Sequence, residues 1–199
     1  MDENFWNTRY AQNEEVYGVY PNEYFKEKLD TLPPGKLLLP GEGEGRNAFY
    51  AARQGWQVKA FDRSTIAAAH AISKAKGVNI VIEYTVSDAL NLPYHKEFYD
   101  AAALIYFHLP LAIRARIHTQ ISESIKKGGA LILVGFGKSQ LRYQSGGPTN
   151  KELLFDIDEL KKEFTHIHWI EASNTVVNLK EGEGHHGKAH IVRLYGIKA

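Results

Sequence analysis

The chain has 199 residues, 44% hydrophobic and 24% charged, the balance of a folded protein long enough to bury one continuous core. Its net charge of +1 lacks the surplus that a phosphate-backbone binder needs, so nucleic acid is not an expected partner. The absence of cysteine excludes disulfide frameworks, thiolate zinc sites and a cysteine nucleophile.

The opening Met1-Asp2-Glu3-Asn4 is acidic and polar, unlike the basic start and apolar stretch of a secretory signal. The most apolar run, 101–113, is too short to span a bilayer and is interrupted by His108 and Pro110. A cytoplasmic location and no membrane partner are therefore expected. A polar-aromatic segment, 5–22, comes first, and a helical pattern follows in which Tyr24, Phe25 and Leu29 share one face. Pro33-Pro34-Gly35 ends it, and 36–40 reads as the first strand. The glycine cluster Gly41-Glu42-Gly43-Glu44-Gly45 then leads into a helix reaching about Gln54.

The alternation continues with a strand at 57–61 ending at Asp62, an Ala-rich helix over 64–76 stopped by Gly77, and a third strand at 80–84. A fourth strand is expected at 99–106, then a helix at 111–125 closed by Lys126-Lys127-Gly128-Gly129, and a fifth strand at 130–136. A Gly/Ser/Pro-rich loop, a helix near 157–164 and two strands at 166–179 and 188–197 complete the chain. The short join at 181–187 makes the last two strands an antiparallel hairpin. The pattern predicts one α/β domain, a doubly wound, mostly parallel seven-stranded sheet with helices on both faces and a C-terminal antiparallel hairpin.

In such a sheet ligands bind beyond the carboxyl ends of the strands where strand order reverses, and the glycine cluster falls there. Gly41, Gly43 and Gly45 let backbone N–H groups approach a ligand, and the helix N-terminus that follows favours a carboxylate or phosphate. Asp62, about 20 residues downstream at a strand end, can accept two hydrogen bonds from a ribose diol, or it can cap the helix at Ser64. Asp88 can hydrogen-bond an adenine amine, or it can form an Asx-turn. The dinucleotide fingerprint wants a glycine three residues after Gly43, where Arg46 stands, and this disfavours a nicotinamide-dependent oxidoreductase.

With Trp6-Asn7-Thr8-Arg9-Tyr10, the loop Gly41 to Asn47, Asp62, Asp88-Ala89, Gly146-Gly147-Pro148 and Asp158-Glu159-Leu160, the sequence resembles the class I S-adenosylmethionine-dependent methyltransferases, in particular the tellurite-resistance and thiopurine methyltransferase-like branch. The resemblance implies S-adenosyl-L-methionine as cofactor and a Rossmann-like methyltransferase fold. Gly41, Gly43 and Gly45 would shape the methionine pocket, Asp62 would hold the ribose hydroxyls, and Asp88 with Ala89 would contact the adenine, with Arg63 and Tyr106 as further cofactor-binding candidates. Residues 1–34 would form an N-terminal lid segment that sets Trp6 and Arg9 over the cofactor. Arg46, which opens the helix after the loop, could pair with the methionyl carboxylate or stand as a solvated first-turn residue. The family carries an Asp two residues before the first glycine; Leu39 stands there, and Glu42 is the candidate to replace it. Leu39 also prompts a competing reading, a non-catalytic cofactor-binding module.

For the acceptor, His108 follows the fourth strand at the expected pocket edge and could orient or deprotonate a nucleophile, or be satisfied by backbone. The resemblance adds His185 and His186 as acceptor-side residues, with His186 in a catalytic role. No metal site is expected, since neighbouring histidines rarely hold one ion without further ligands at suitable spacing; Glu181, Glu183 and His190 stand near enough to keep a weak metal reading open. A small-molecule methyltransferase follows, with a thiol or chalcogen oxyanion as the suggested acceptor because such nucleophiles need little help from a base.

Overall fold

The structure, a computed structural model, describes residues 3–199, so Met1 and Asp2 of the acidic opening lie outside the described residues. The elements in chain order are α1 (Glu3–Gln12), α2 (Glu23–Leu29), β1 (Lys36–Pro40), α3 (Arg46–Arg53), β2 (Gln57–Asp62), α4 (Thr65–Gly77) and β3 (Glu83–Val86). There follow β4 (Tyr99–Ile105), α5 (Leu111–Ser124), β5 (Ile125–Phe136), α6 (Ile157–Glu163), β6 (Ile167–Glu181) and β7 (His185–Lys198). No helix among the described residues is long and apolar enough to cross a membrane.

Seven strands form one sheet in the order β3-β2-β1-β4-β5-β7-β6. The first five pair in parallel, and β7 runs antiparallel between β5 and β6. Strand order reverses between β1 and β4, the crevice where this architecture binds ligands. Alternation along β1 explains why both faces are covered: Leu37 and Leu39 join one core with Phe25, Ala48 and Ala51 of α2 and α3. Leu38 points the other way, into a core with Ile117 and Ile121 of α5 and Leu160 of α6. Leu39 is fully buried there, and at about 25 cal/mol per Å² an aspartate in its place would forfeit that burial and leave an unpaired charge in the core.

Four boundaries differ from the sequence pattern, each for a physical reason. The opening segment is helical because Trp6 and Tyr10, four residues apart, stack on one face with ring centroids 6.0 Å apart, and Tyr10 is buried beside Val16 and Ala67. The third strand lies at 83–86, not 80–84, because α4 turns back through Asn79 at φ 54° with Ile80 N–H bonded to Ala75 O at 2.9 Å. Val81 is left 90% exposed by that return. Lys126 to Gly129 do not close a helix; they belong to β5, whose Ile125 pairs with Tyr99. The hairpin strands are longer than expected and pair up to Glu181 with His185, so both histidines stand on β7 and only 182–184 form the turn.

Candidate active site

A cavity of about 470 Å³ opens at the switch point, over the carboxyl ends of β1, β2 and β4. Its wall collects residues from distant parts of the chain: Trp6, Arg9, Tyr10 and Tyr17, then Gly41, Glu42 and Arg46, Asp62 and Arg63, Asp88 and Ala89, Tyr106 and His108, and His185. Of the site residues expected from sequence, Gly43, Gly45 and His186 do not line it. Gly43 and Gly45 shape the loop from behind, at φ 63° and 89°, where a side chain is strained. A Cβ on Gly43 would lie 2.6 Å from the Tyr10 hydroxyl, so α1 packs on the loop directly.

The carboxylates at the donor end are held by backbone N–H groups. Asp62 accepts from Gly43 N at 3.0 Å and from Ser64 N at 2.8 Å, so it caps and faces the cavity at once. Burial pushes its carboxyl above the usual range, against the pull of those N–H donors. Asp88 likewise combines both readings, its Oδ1 accepting from Leu90 N at 2.9 Å in an Asx-turn while Oδ2 takes Arg63 Nη2 at 2.5 Å. Phe61, Ala89, Leu90 and Leu109 give the cavity an apolar wall near Asp88.

Glu42, the candidate for the acid that Leu39 replaces, is bonded to the start of α3. Its Oε1 accepts from Asn47 N and Ala48 N at 2.8 Å each, and Oε2 accepts from Asn47 Nδ2 at 3.2 Å, so its carboxylate closes the N-terminus of α3. Burial pushes its pKa up to about 7 in spite of the Ala48 and Asn47 donors.

The other end of the cavity holds an aromatic cluster around His185, with ring centroids at 4.2 Å to Tyr106, 4.4 Å to Tyr17 and 5.0 Å to Phe136. Tyr106 stands at φ 55°, a strained conformation for a residue with a side chain. Burial pulls the His185 imidazole below its ordinary value, so it is neutral near pH 7, and its Nδ1 has no hydrogen-bond partner. Glu181 lies 3.9 Å from that nitrogen, beyond hydrogen-bond reach.

Glu181 is the residue that sequence reasoning missed, since it figured there only as a weak metal ligand. It accepts from Arg46 Nη2 at 2.5 Å, Asn22 Nδ2 at 2.8 Å and Tyr106 Oη at 3.3 Å. Burial works to raise its carboxyl, but the Arg46 guanidinium in contact with it outweighs that and holds the group at about 2. Arg46 also donates to Tyr17 O at 2.8 Å, so its guanidinium faces this cluster rather than an open carboxylate position.

Two of the three histidine expectations need correction. His108 Nδ1 meets Leu153 O at 2.7 Å and Nε2 accepts from Phe136 N at 3.1 Å, so both ring nitrogens are spent on backbone. Burial holds its pKa at about 3, and the ring stacks on Phe155 as a neutral packing group, unsuited to act as a base. His186 is exposed, because successive residues of β7 point to opposite faces and His185 takes the inward one.

With this geometry in place, residues 38–129 match a family described as a methyltransferase domain. The chain is a methyltransferase enzyme with S-adenosylmethionine as cofactor, and the cavity suits that cofactor, offering Asp62 and Asp88 at strand ends and apolar wall residues beside them. The methyltransferase chain is similar in fold to TehB from Haemophilus influenzae, with TM-score 0.75, 18% identity, and coverage of 98% of this chain and 67% of that one. It is similar to magnesium protoporphyrin IX methyltransferase from Synechocystis PCC 6803 with bound S-adenosylmethionine, with TM-score 0.70, 15% identity, and coverage of 99% and 95%. A structure described under conversion of a disulfide bond into a thioacetal group during echinomycin biosynthesis gives TM-score 0.76, 15% identity, and coverage of 98% and 92%. No curated protein matches the sequence.

Proposed function

We propose that this methyltransferase transfers the methyl group of S-adenosylmethionine to a small soft nucleophile, a thiol or chalcogen oxyanion, within the tellurite-resistance and thiopurine methyltransferase-like branch. The observation that carries the reading is the cluster of Tyr17, Tyr106 and Phe136 around a neutral His185 whose Nδ1 lacks a hydrogen-bond partner. Aromatic faces attract a sulfonium, and a neutral imidazole can orient a weakly basic nucleophile without a strong base beside it. Alignment of donor and acceptor then supplies much of the rate. In this reading Asp62 holds the ribose hydroxyls, Asp88 and Ala89 meet the adenine, and residues 1–34 cover the cofactor as a lid segment. The neighbour in fold described under conversion of a disulfide bond into a thioacetal group supports a sulfur acceptor.

The test is calorimetric titration with S-adenosylhomocysteine followed by an acceptor screen of small thiols, selenite and tellurite. Asp62→Ala is expected to weaken cofactor binding by about 1–3 kcal/mol, the range for hydrogen bonds to a charged acceptor. Unchanged affinity would assign Asp62 to its Gly43 and Ser64 contacts alone. Turnover only with oxygen or carbon acceptors would overturn the acceptor class.

A further inference from the structure

A second cavity, of about 590 Å³, lies between the sheet and the 17–23 segment. Its floor is apolar, made by Val134 of β5, Val177 and Leu179 of β6 and Ile191 of β7, all of which belong to the core on the α2 side of the sheet. Tyr17 and Tyr106 line this cavity and the cofactor cavity alike, so the two are neighbours with a common aromatic wall. Methyl transfer leaves the second one without a role.

Arg193 of β7 reaches its wall. The side chain has no carboxylate partner among the described residues, its Nε is buried with no hydrogen-bond partner, and its guanidinium lies 5.2 Å from the centroid of the Tyr24 ring. An aromatic face holds the guanidinium in place without using its N–H donors, and a buried donor without an acceptor is costly until a ligand supplies one. The acids on the same wall do not fill that need. Glu181 is taken by Arg46, Asn22 and Tyr106, and Glu23 is exposed at the start of α2.

We propose that this cavity is a second ligand site, which takes a small carboxylate with an apolar body, the carboxylate on Arg193 and the body over Val177 and Leu179. A guanidinium fork pairs with a carboxylate through two parallel hydrogen bonds, and the floor offers the rest of the molecule only apolar contact. A dianion is disfavoured, because Glu23 and Glu181 stand on the same wall as the one guanidinium. The site is distinct from that of methyl transfer. His185 and Arg193 are eight residues apart on β7, about 26 Å between Cα atoms at about 3.3 Å per residue, so a small acceptor at His185 does not reach Arg193.

The experiment titrates phenylpropionate and phenylpropionamide, the same body with and without the charge, into wild type, Arg193→Gln and Val177→Phe by calorimetry, each with and without saturating S-adenosylhomocysteine. Wild type is expected to bind phenylpropionate in both conditions, and R193Q to lose about 10- to 100-fold for it while affinity for the amide stays within about twofold. V177F keeps Arg193 but fills the floor, and should weaken both probes by about tenfold or more. Equal phenylpropionate affinity in wild type and R193Q would overturn the proposal, as would no binding by the folded wild type. Displacement of the probe by S-adenosylhomocysteine would move it to the cofactor cavity and overturn the second site. If R193Q does not fold, V177F decides, and unchanged phenylpropionate affinity there overturns the site.

Discussion

Arg46 and Glu181 stand 135 residues apart in sequence, and their side chains meet at 2.5 Å in a place where each is almost wholly buried. The pair ties the first turn of α3, next to the glycine loop, to the end of β6. Removing one partner of a buried pair leaves the other charge unmatched, so Glu181→Ala is expected to destabilise the fold by about 3–5 kcal/mol. Urea unfolding of wild type and E181A measures this. A loss under 1 kcal/mol would mean that water replaces the carboxylate around Arg46.

Glu42 gives stability a pH dependence whose sign opposes that of an ordinary paired carboxylate. Its folded pKa is raised from 4.5 to about 7, so the folded state holds the proton more tightly than the unfolded one. The associated stability is fully present below about pH 4.5 and is lost as pH rises through about 7, a change of roughly 3 kcal/mol at 1.36 kcal/mol per unit. Glu42→Gln removes the titration, so the Tm of wild type relative to E42Q is expected to fall between pH 5 and pH 8. Parallel Tm curves would return Glu42 to the ordinary carboxylate range.

How much of this was legible in the sequence depends on the range over which each relation acts. The glycine loop, Asp62 and Asp88 are local features, set by a strand end and the next few residues, and they stand where the pattern puts them. The parallel sheet was legible for the same reason, as a repeat of short apolar runs and helices. Glu181 was not legible as a site residue, because nothing near it in sequence announces Arg46, Asn22 or Tyr106. The histidines depended on hairpin register: extending each strand to the Glu181–His185 pair moves His185 inward and His186 outward. For α1 the signal was present, in the four-residue spacing of Trp6 and Tyr10, beneath a polar surface that masks the periodicity.

The three histidines separate into three behaviours. His185→Ala is expected to lower kcat with a thiol or chalcogen acceptor while S-adenosylhomocysteine affinity stays within about twofold, since in the proposed arrangement its ring, packed on Tyr106, would orient the acceptor. His186→Ala should match wild type, its side chain being exposed on the opposite face of β7. His108→Ala should cost roughly 1–3 kcal/mol of stability, because the Leu153 carbonyl and the Phe136 N–H both lose a partner. Its pH–rate profile should keep the wild-type shape. Steady-state kinetics beside thermal unfolding checks all three, and a pH inflection lost in H108A alone would restore His108 as the base.

The β6–β7 turn is wedged against the segment that carries Tyr17, and two glycines with similar backbone angles allow that wedge to be measured. Gly182 has φ 69° and Gly128 has φ 78°, so alanine at either bears the same left-handed strain of about 1–2 kcal/mol. Their surroundings differ. A Cβ at Gly128 meets nothing within 4 Å, whereas at Gly182 it would lie 2.5 Å from both Gly18 N and Val16 O, which are backbone atoms with little freedom to yield. Gly184 N–H also bonds Val16 O at 2.8 Å, so the turn and the 16–18 segment must separate together. That separation would draw Tyr17 from the His185 ring and its carbonyl from Arg46. Gly182→Ala is therefore expected to cost clearly more stability than Gly128→Ala and, unlike it, to weaken S-adenosylhomocysteine binding through the disturbed cavity wall. Equal unfolding free energies for the two variants, with equal affinities, would show that the segment moves aside freely and that the hairpin turn does not brace the site.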